Sequence, residues 1–562
     1  MDNHVIADQF TLLAKLMDVH GENSFKAKSY ANAAFQIDKL TVPLSETPRD
    51  AIFKIKGIGD STGKSIIEML DTGRFKMLED YIDKTPAGVL DMMKIKGLGP
   101  KKIATIWKEL EIESLGELLY ACNENRLLLL KGFGEKTQAS TKQSIEFFLS
   151  NRERHLYAEI EPLAMDLLNK FEETFSPKSV SLTGAYRRQQ PVIDEIEFVI
   201  AVPVQTIKDQ WVQTGIFTEL ETTPQYLLLQ HEQQVKVKIY TTNEEDFANT
   251  LFVTSATEAF LDAFYGIDGG ESALSNVSSE TEIFEKARLP YIEPCLRETA
   301  DQLNRIASKG APKLIHTSDI KGIIHSHSQW SDGLNSLQNM AEAARAEGFE
   351  YLVISDHSKS AFYANGLQPE RITAQHQEIE ALNQQLAPFK IFKSIEADIL
   401  NDGSLDYPDE ILASFDLAIA SVHTNLKMSE TKAMERLLKA IQNPYTTILG
   451  HLTGRLLLSR NGYPLDHSAI IDACIENNVI IELNAHPRRL DIDWSYLAEA
   501  VEKGAMISID PDAHSIEGYK DIRYGVLAAQ KGGLPASQNF SSFNREAIES
   551  YIQERKQKKG II

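Results

Sequence analysis

The sequence predicts a multidomain chain: an α-helical amino-terminal region, an α/β middle region, and a carboxyl-terminal distorted (β/α)7 barrel of the TIM type. Three observations carry this. Gly-apolar-Gly returns three times in the first 150 residues, each time between helix-forming stretches. Between residues 151 and 298, alternating stretches such as EIEFVIA and QQVKVKIYTT read as strands of a half-buried sheet. After residue 315, short apolar runs alternate with helical stretches. The boundaries expected are 1–150, 151–298, a connection over 299–319, and 320–562, and a chain of 562 residues lets each main part bury its own core.

Composition is ordinary, 43% hydrophobic and 25% charged. No apolar run reaches the roughly 20 residues a membrane helix needs, and the start, MDNHVIADQF, lacks a basic-then-apolar signal. The expectation is a cytoplasmic monomer with no membrane partner. Cys122, Cys295 and Cys474 have no paired spacing, which argues against disulfides and a thiolate metal site. The net charge of -22 disfavours nucleic acid as a ligand for the chain as a whole, because phosphate contacts come from Lys and Arg. The first 150 residues are nearly neutral, however, with basic clusters at the glycine turns.

Those turns are KIKGIGDSTGKSI at 54–66, KIKGLGPKKIATI at 94–106 and KGFGEKTQAS at 131–140. Gly57 and Gly59, Gly97 and Gly99, and Gly132 and Gly134 permit a tight turn with positive φ, and the next helix then begins with free backbone N–H groups, a sequence-independent seat for phosphate. Lys56, Lys64, Lys96, Lys101, Lys102 and Lys136 add positive charge. A single such turn also closes ordinary helical hairpins; three with lysines favour binding of a nucleic-acid backbone. They resemble helix-hairpin-helix motifs. With the preceding helical pair, LLAKLMDVHGENSFKAKSYANAAFQI, they look like the start of a family X DNA polymerase, so the partner implied is DNA with gaps, nicks or damaged ends. At the position of the aldehyde-reactive lysine of some family members stands Ser65, and the adjacent Lys64 reads as solvated charge or a phosphate contact.

The middle region extends the resemblance and departs from it. SLTGAYRRQQPVIDEIEFVIA, at 181–201, is similar to the family's Gly-Ser-x-Arg-Arg turn and the Asp-x-Asp strand that follows. Gly184, Arg187 and Arg188 match; Ala185 replaces the serine, and Glu195 and Glu197 stand where two metal-binding aspartates are expected. The third carboxylate belongs on QQVKVKIYTT, which has no Asp or Glu and places Lys238 there. Alternation puts Glu195 and Glu197 on one face. Nucleotidyl transfer, though, needs two Mg²⁺ about 3.5–4 Å apart in near-octahedral shells, and longer acids beside a lysine fit that poorly. The expectation is a degenerate family X polymerase-like palm and thumb that binds no Mg²⁺, does not polymerise, and holds DNA with Arg187 and Arg188 available to phosphate. The family's Thr-Gly-Ser also departs, as Ser255, Ala256 and Thr257.

Ten of the 14 histidines follow residue 315. Seven of them fall at the ends of apolar strands (GIIHSH, YLVISDH, IFKSIEADIL, LAIASVHT, TTILGHL, VIIELNAHP, AMISIDPDAH), where a barrel of parallel strands carries its active site. One buried histidine is usually structural. Nine ligand-type residues on one rim, His325, His327, Asp332, His357, Glu396, His423, His451, Asp512 and His514, point to a metal site instead. Imidazole mixed with carboxylate suits Zn²⁺, Mn²⁺ or Fe²⁺.

This segment resembles the polymerase and histidinol phosphatase (PHP) domain, matching its His-x-His, Ser-Asp-Gly, Asp-His, Glu, His, His and Asp-x-His elements. The resemblance implies three divalent ions: one on His325, His327, Glu396 and Asp512, one on a bridging Glu396 with His423 and His451, and one on Asp332, His357 and His514. Bound ions activate water and neutralise a scissile phosphate. Arg455 is expected to hold substrate phosphate bidentately, with Arg489 the weaker candidate, and Asp356 to orient His357. The order hairpins, palm, PHP domain resembles a bacterial family X DNA polymerase over essentially the whole chain. It implies a DNA-repair nuclease acting 3′ to 5′, with that nuclease expected to be the chain's one working active site and incision at abasic sites an extension. The rivals are an active gap-filling polymerase with a proofreading nuclease, a small-molecule phosphomonoesterase of the histidinol phosphatase type, and a non-catalytic DNA-binding scaffold.

Overall fold

The computed structural model describes residues 2–40, 42–124, 126–151 and 153–561, and the chain packs as two compact units, 1–152 and 153–562.

The first unit is helical. Asn3–His20 and Ser24–Asp38 form an antiparallel pair whose buried face includes Phe10, Leu13, Met17, Tyr30 and Ile37, and the chain reverses at Gly21 with φ 78°. The three glycine turns share one backbone design. Gly57, Gly97 and Gly132 take φ 89°, 86° and 90°, the left-handed region that suits glycine. Gly59, Gly99 and Gly134 are then the extended N-caps of Asp60–Thr72, Pro100–Leu110 and Glu135–Ser150. With no side chain at the caps, the helix N-termini stay open: a Cβ on Gly59, Gly99 or Gly134 would meet nothing within 4 Å. Lys96, Lys102 and Lys136 line one shallow cavity between the second and third turns.

The second unit begins with a mixed five-stranded sheet in the order Val180–Thr183, Glu195–Ile200, Lys236–Thr241, Tyr226–His231, Phe217–Thr222, with the helix Tyr157–Phe175 burying Ile160, Leu167 and Phe171 against it. Helices Phe247–Thr254, Glu258–Tyr265 and Glu280–Lys286 build a separate core around Phe252, Phe264 and Phe284. The stretch 299–319, read as a connection, opens with the helix Ala300–Lys309, whose Leu303 and Ile306 are buried in that same core.

The rest is the nearly closed barrel that the strand-and-helix alternation predicts. Gly322–Ser326, Tyr351–Ile354, Lys390–Asp398, Leu417–Ser421, Ile448–Leu449, Ile480–Asn484 and Ile507–Asp510 pair in chain order, all parallel. The strands are buried on both faces, which explains why they read as continuous apolar runs. First and last strands meet at their carboxyl ends, where Ser326 bridges Ala513, His327 N–H donates to Ala513 O at 2.8 Å and Ala513 N–H donates to His325 O at 3.2 Å. That closure brings the two ends of the ligand series together. Among the described residues, no helix is long and apolar enough to cross a membrane.

Candidate metal centre

Each strand delivers its polar side chain at the carboxyl end, and Glu396 is the hub. Its Oε1 lies 3.0 Å from His451 Nε2, 3.1 Å from His423 Nε2 and 3.4 Å from His325 Nε2; its Oε2 lies 2.8 Å from His357 Nδ1 and 3.7 Å from His327 Nε2. Asp512 Oδ1 is 3.1 Å from His327 Nε2 and 3.5 Å from His325 Nε2. Asp332 Oδ1 is 3.5 Å from His514 Nε2 and 3.7 Å from His357 Nε2. All nine residues singled out in the sequence therefore share one cluster. Three overlapping sets have donor atoms close enough to hold one ion each: His327, Asp332, His357 and His514; His325, His327 and Asp512; and His357, Glu396 and His423. His327 and His357 each join two sets, where the resemblance implied a single ion for each.

The donor chemistry fits cations. His325 Nε2, His357 Nδ1 and Glu396 Oε2 are buried and close to one another's side chains but form no aligned hydrogen bond, which would be costly in a site meant to remain without an ion. Burial alone would raise the Glu396 carboxyl, yet the imidazoles of His423, His357 and His325 hold it well below the usual range. Asp512, which burial would also raise, is held down by His325, His327 and Arg489. Burial opposes charge on His423, but Glu396 and Asp398 outweigh it and lift the imidazole to about 10. Burial and the neighbouring His357 and His514 push His327 down to about 3. Divalent ions would replace such shared protons. His325 and Asp512, two of the candidate ligands, have φ of 57° and 53°, a region non-glycine residues rarely adopt.

Two carboxylates that sequence reading passed over complete the site. Glu482 Oε1 meets His325 Nδ1 at 3.0 Å and accepts from Asn484 Nδ2 at 2.8 Å, while its Oε2 accepts from His451 N–H at 2.9 Å. Asp398 Oδ1 meets His423 Nδ1 at 2.5 Å. Both fix an imidazole with its other nitrogen toward Glu396, the outer partners that orient metal-binding histidines. The signal lay in Glu396 and Asp398, and Glu482 and Asn484, each pair two apart at the buried carboxyl end of a strand. Gly450 makes room for Glu482, because a Cβ there would lie 2.9 Å from its Oε2 and 2.2 Å from Ser421 Oγ. Glu482→Gln is expected to weaken metal binding about 10–100-fold, read by titration of the apoprotein with Mn²⁺ or Zn²⁺.

Several expected roles change. Arg455 does not face the cluster: its guanidinium donates to Asp493 Oδ2 at 2.5 Å and to the carbonyls of Arg489 and Leu490. Arg489, ranked lower, is the arginine beside the centre, with Nε 3.5 Å from Asp512 Oδ2. Asp356 does not turn toward the His357 ring; it accepts from Ser328 and Ser331 N–H, both their hydroxyls, and Gln375 Nε2, and so pins the loop that carries Asp332.

In the palm-like sheet, Glu195 and Glu197 do lie on one face, but neither is free. Glu197 accepts from Ala185 N–H and the Tyr240 hydroxyl, both at 3.0 Å, and burial raises its carboxyl. Lys238, opposite Glu197 in register, places Nζ 3.5 Å from Glu195 Oε1. Gly184, with φ 61°, lets Glu197 approach; a Cβ would lie 1.6 Å from its Oε1. Arg187 and Arg188 are not available to phosphate. Arg187 pairs bidentately with Glu280 at 3.0 and 2.5 Å, and Arg188 Nε donates to Glu298 Oε1 at 3.1 Å, because those buried carboxylates require cations. Ser65 is buried against the Tyr30 hydroxyl at 3.1 Å, whereas Lys64 extends into solvent toward Asp60 at 3.5 Å.

Fold and site define a PHP-domain protein carrying helix-hairpin-helix modules. Family models agree: a helix-hairpin-helix domain matches residues 1–75, a SAM-like helix-hairpin-helix tandem 89–139, and a PHP domain 324–486. The DNA polymerase/3′-5′ exonuclease PolX of Bacillus subtilis is 32% identical over 96% of this chain and 97% of its own length. The chain belongs to this family, the bacterial family X DNA polymerases with a carboxyl-terminal PHP domain. Shorter relatives match the barrel: a probable phosphatase of Caldanaerobacter subterraneus is 24% identical over 40% of this chain and 87% of its own, and one of Clostridium acetobutylicum 35% over 24% and 57%.

Proposed function

We propose that the protein is a DNA-repair nuclease in which the barrel hydrolyses phosphodiesters from 3′ ends and the palm-like sheet no longer polymerises. The observation that carries the hydrolytic half is the convergence of His325, His327, His357, His423 and His451 on the buried carboxylates Glu396 and Asp512. Three divalent ions, Mn²⁺ or Zn²⁺ with Fe²⁺ also compatible with the donors, suit that set. When bound, they would supply an activated water and neutralise the charge developing on phosphate. The chain's own residues do the rest: Glu482 and Asp398 hold the His325 and His423 rings in place, Asp356 fixes the loop bearing Asp332, and Arg489 is placed to hold the non-bridging oxygens of the substrate.

The named activity of the Bacillus relative and the three open helix N-termini beside lysines support DNA as the substrate. Lys238 at the place of a third carboxylate, and Glu197 hydrogen-bonded within the fold, support loss of polymerisation. Labelled DNA with a gap, a nick or a recessed 3′ end, incubated with Mn²⁺, tests the reading: stepwise shortening from the 3′ end, abolished by a chelator, is expected. No loss of nucleotides with any of these substrates would refute it. An abasic duplex in the same assay reads whether incision belongs to the same centre.

The likeness of the barrel to probable phosphatases favours one second reading, a small-molecule phosphomonoesterase. Efficient turnover of histidinol phosphate by protein that leaves DNA ends intact would select it.

A further inference from the structure

Beside the metal centre stand two aromatic side chains that the core does not use. Phe362 is 86% exposed and Tyr363 60%, on the single helical turn Phe362–Ala364 that follows His357. The loop beneath them is pinned. Ser358 Oγ and Ser360 N–H donate to Asp406 Oδ2 at 2.7 and 3.0 Å, Lys359 N–H donates to the Tyr407 hydroxyl at 3.2 Å, and Ser358 bridges Leu367. Asn365 closes the turn at φ 55°, and Arg371 donates to its carbonyl at 2.8 Å. Gly366 packs so closely that a Cβ would lie 1.9 Å from Ser358 O. A loop held this firmly presents its two rings to solvent as a fixed surface.

The second of those rings lies beside the centre. The Tyr363 ring centroid is 6.4 Å from that of His357, and the carboxylates of Asp398, Glu396 and Asp332 are near enough to act on its phenol. Phe362 and Tyr363 meet at 76° with centroids 6.1 Å apart, so their faces point in different directions. Leu334, 73% exposed, stands beyond Asp332 on the adjacent loop, where its N–H donates to His514 O at 2.7 Å. At a rim of carboxylates with exposed apolar groups, phosphate is drawn to bound cations and to Arg489, which leaves the neutral part of the substrate to the aromatic surface.

We infer that Phe362 and Tyr363 are a stacking platform for an unpaired nucleobase at a DNA end whose phosphodiester occupies the metal centre. The inference rests on the nuclease reading. An unpaired base offers a free π-face, and aromatic side chains accept such faces without regard to sequence. Bases inside a duplex are already stacked, so the occupant is a single-stranded or frayed terminus.

The test uses the full chain loaded with Mn²⁺ and two single strands, one ordinary and one whose 3′-terminal residues are base-free tetrahydrofuran spacers. With the wild type, loss of the bases should raise KM about tenfold, the scale of one stacked base. With the double variant Phe362→Ala, Tyr363→Ala, KM for the ordinary strand should already be that high, and removing the bases should change it little. Tyr363→Phe should behave as wild type, because it keeps the ring. A variant that still discriminates tenfold between the strands, or a wild type that never does, would overturn the platform. So would an equal fall in kcat on both strands with discrimination intact, which would make the loop a mere support. If the wild type hydrolysed bis(p-nitrophenyl) phosphate but left both strands intact, the nuclease reading itself would fall, and the platform with it.

Discussion

Replacing Glu396 with glutamine should lower phosphodiester hydrolysis by about a thousandfold or more. Five imidazoles lie within 3.7 Å of its two oxygens, and the carboxylate is fully buried. Loss of an outer partner alone weakens metal binding about 10–100-fold, and a residue central to the donor set removes ion and charge stabilisation together, several kcal/mol at about 1.36 kcal/mol per tenfold in rate. Glutamine preserves the volume, so circular dichroism should match the wild type while metal content and rate fall. Unchanged hydrolysis by folded Glu396→Gln protein would remove this cluster from consideration as the active centre.

The second large effect concerns stability, far from the barrel rim. Glu280→Ala should destabilise the second unit by about 3–5 kcal/mol, the usual result of removing one partner from a buried ion pair. Glu280 pairs with Arg187 and also with Arg297, at 2.5 Å, whose side chain is wholly buried among Phe252, Phe284 and Tyr291. Alanine would strand that guanidinium. Burial raises the Glu280 carboxyl, but Arg187 and Arg297 more than offset this, and its value in the fold lies below the ordinary one. The unfolded chain therefore binds the proton more readily, so this stabilisation is fully present above the ordinary carboxyl range and is lost as pH falls through the folded value. Urea midpoints should fall more steeply with acidification in the wild type than in Glu280→Ala. Parallel pH profiles for the two proteins would contradict the assignment.

What could be read in the sequence divides along the same physical line. Ligand-type residues closing apolar strands are a local pattern, and all nine came together in space. The glycine turns were equally local, since positive φ at the first glycine and an N-cap at the second are backbone requirements that few other residues meet. Partner choice was not local. Arg187 and Arg188 matched a phosphate-binding motif, but their carboxylates, Glu280 and Glu298, lie 93 and 110 positions away. Arg455 likewise meets Asp493 38 positions on, which left Arg489 beside the centre. Glu482 and Asp398 escaped notice because an acid inside an apolar strand shows its role only when the second nitrogen of a distant histidine is located. The stretch 299–319 read as a connection because its polar residues hide a short amphipathic helix with only Leu303 and Ile306 buried.

The two halves of the proposed function rest on different side chains. The barrel gathers histidines and carboxylates into groups that could hold metal ions, whereas the palm-like sheet has a lysine within 3.5 Å of Glu195 and a glutamate turned into its own fold. A 5′-labelled primer on a longer template, incubated with Mn²⁺ in the presence and absence of the four deoxynucleoside triphosphates, tests that division most directly. The expected result is shortening of the primer in both lanes, and none with the His325→Ala, His327→Ala variant. Robust templated extension in the lane with nucleotides, abolished by Glu195→Ala, would contradict it.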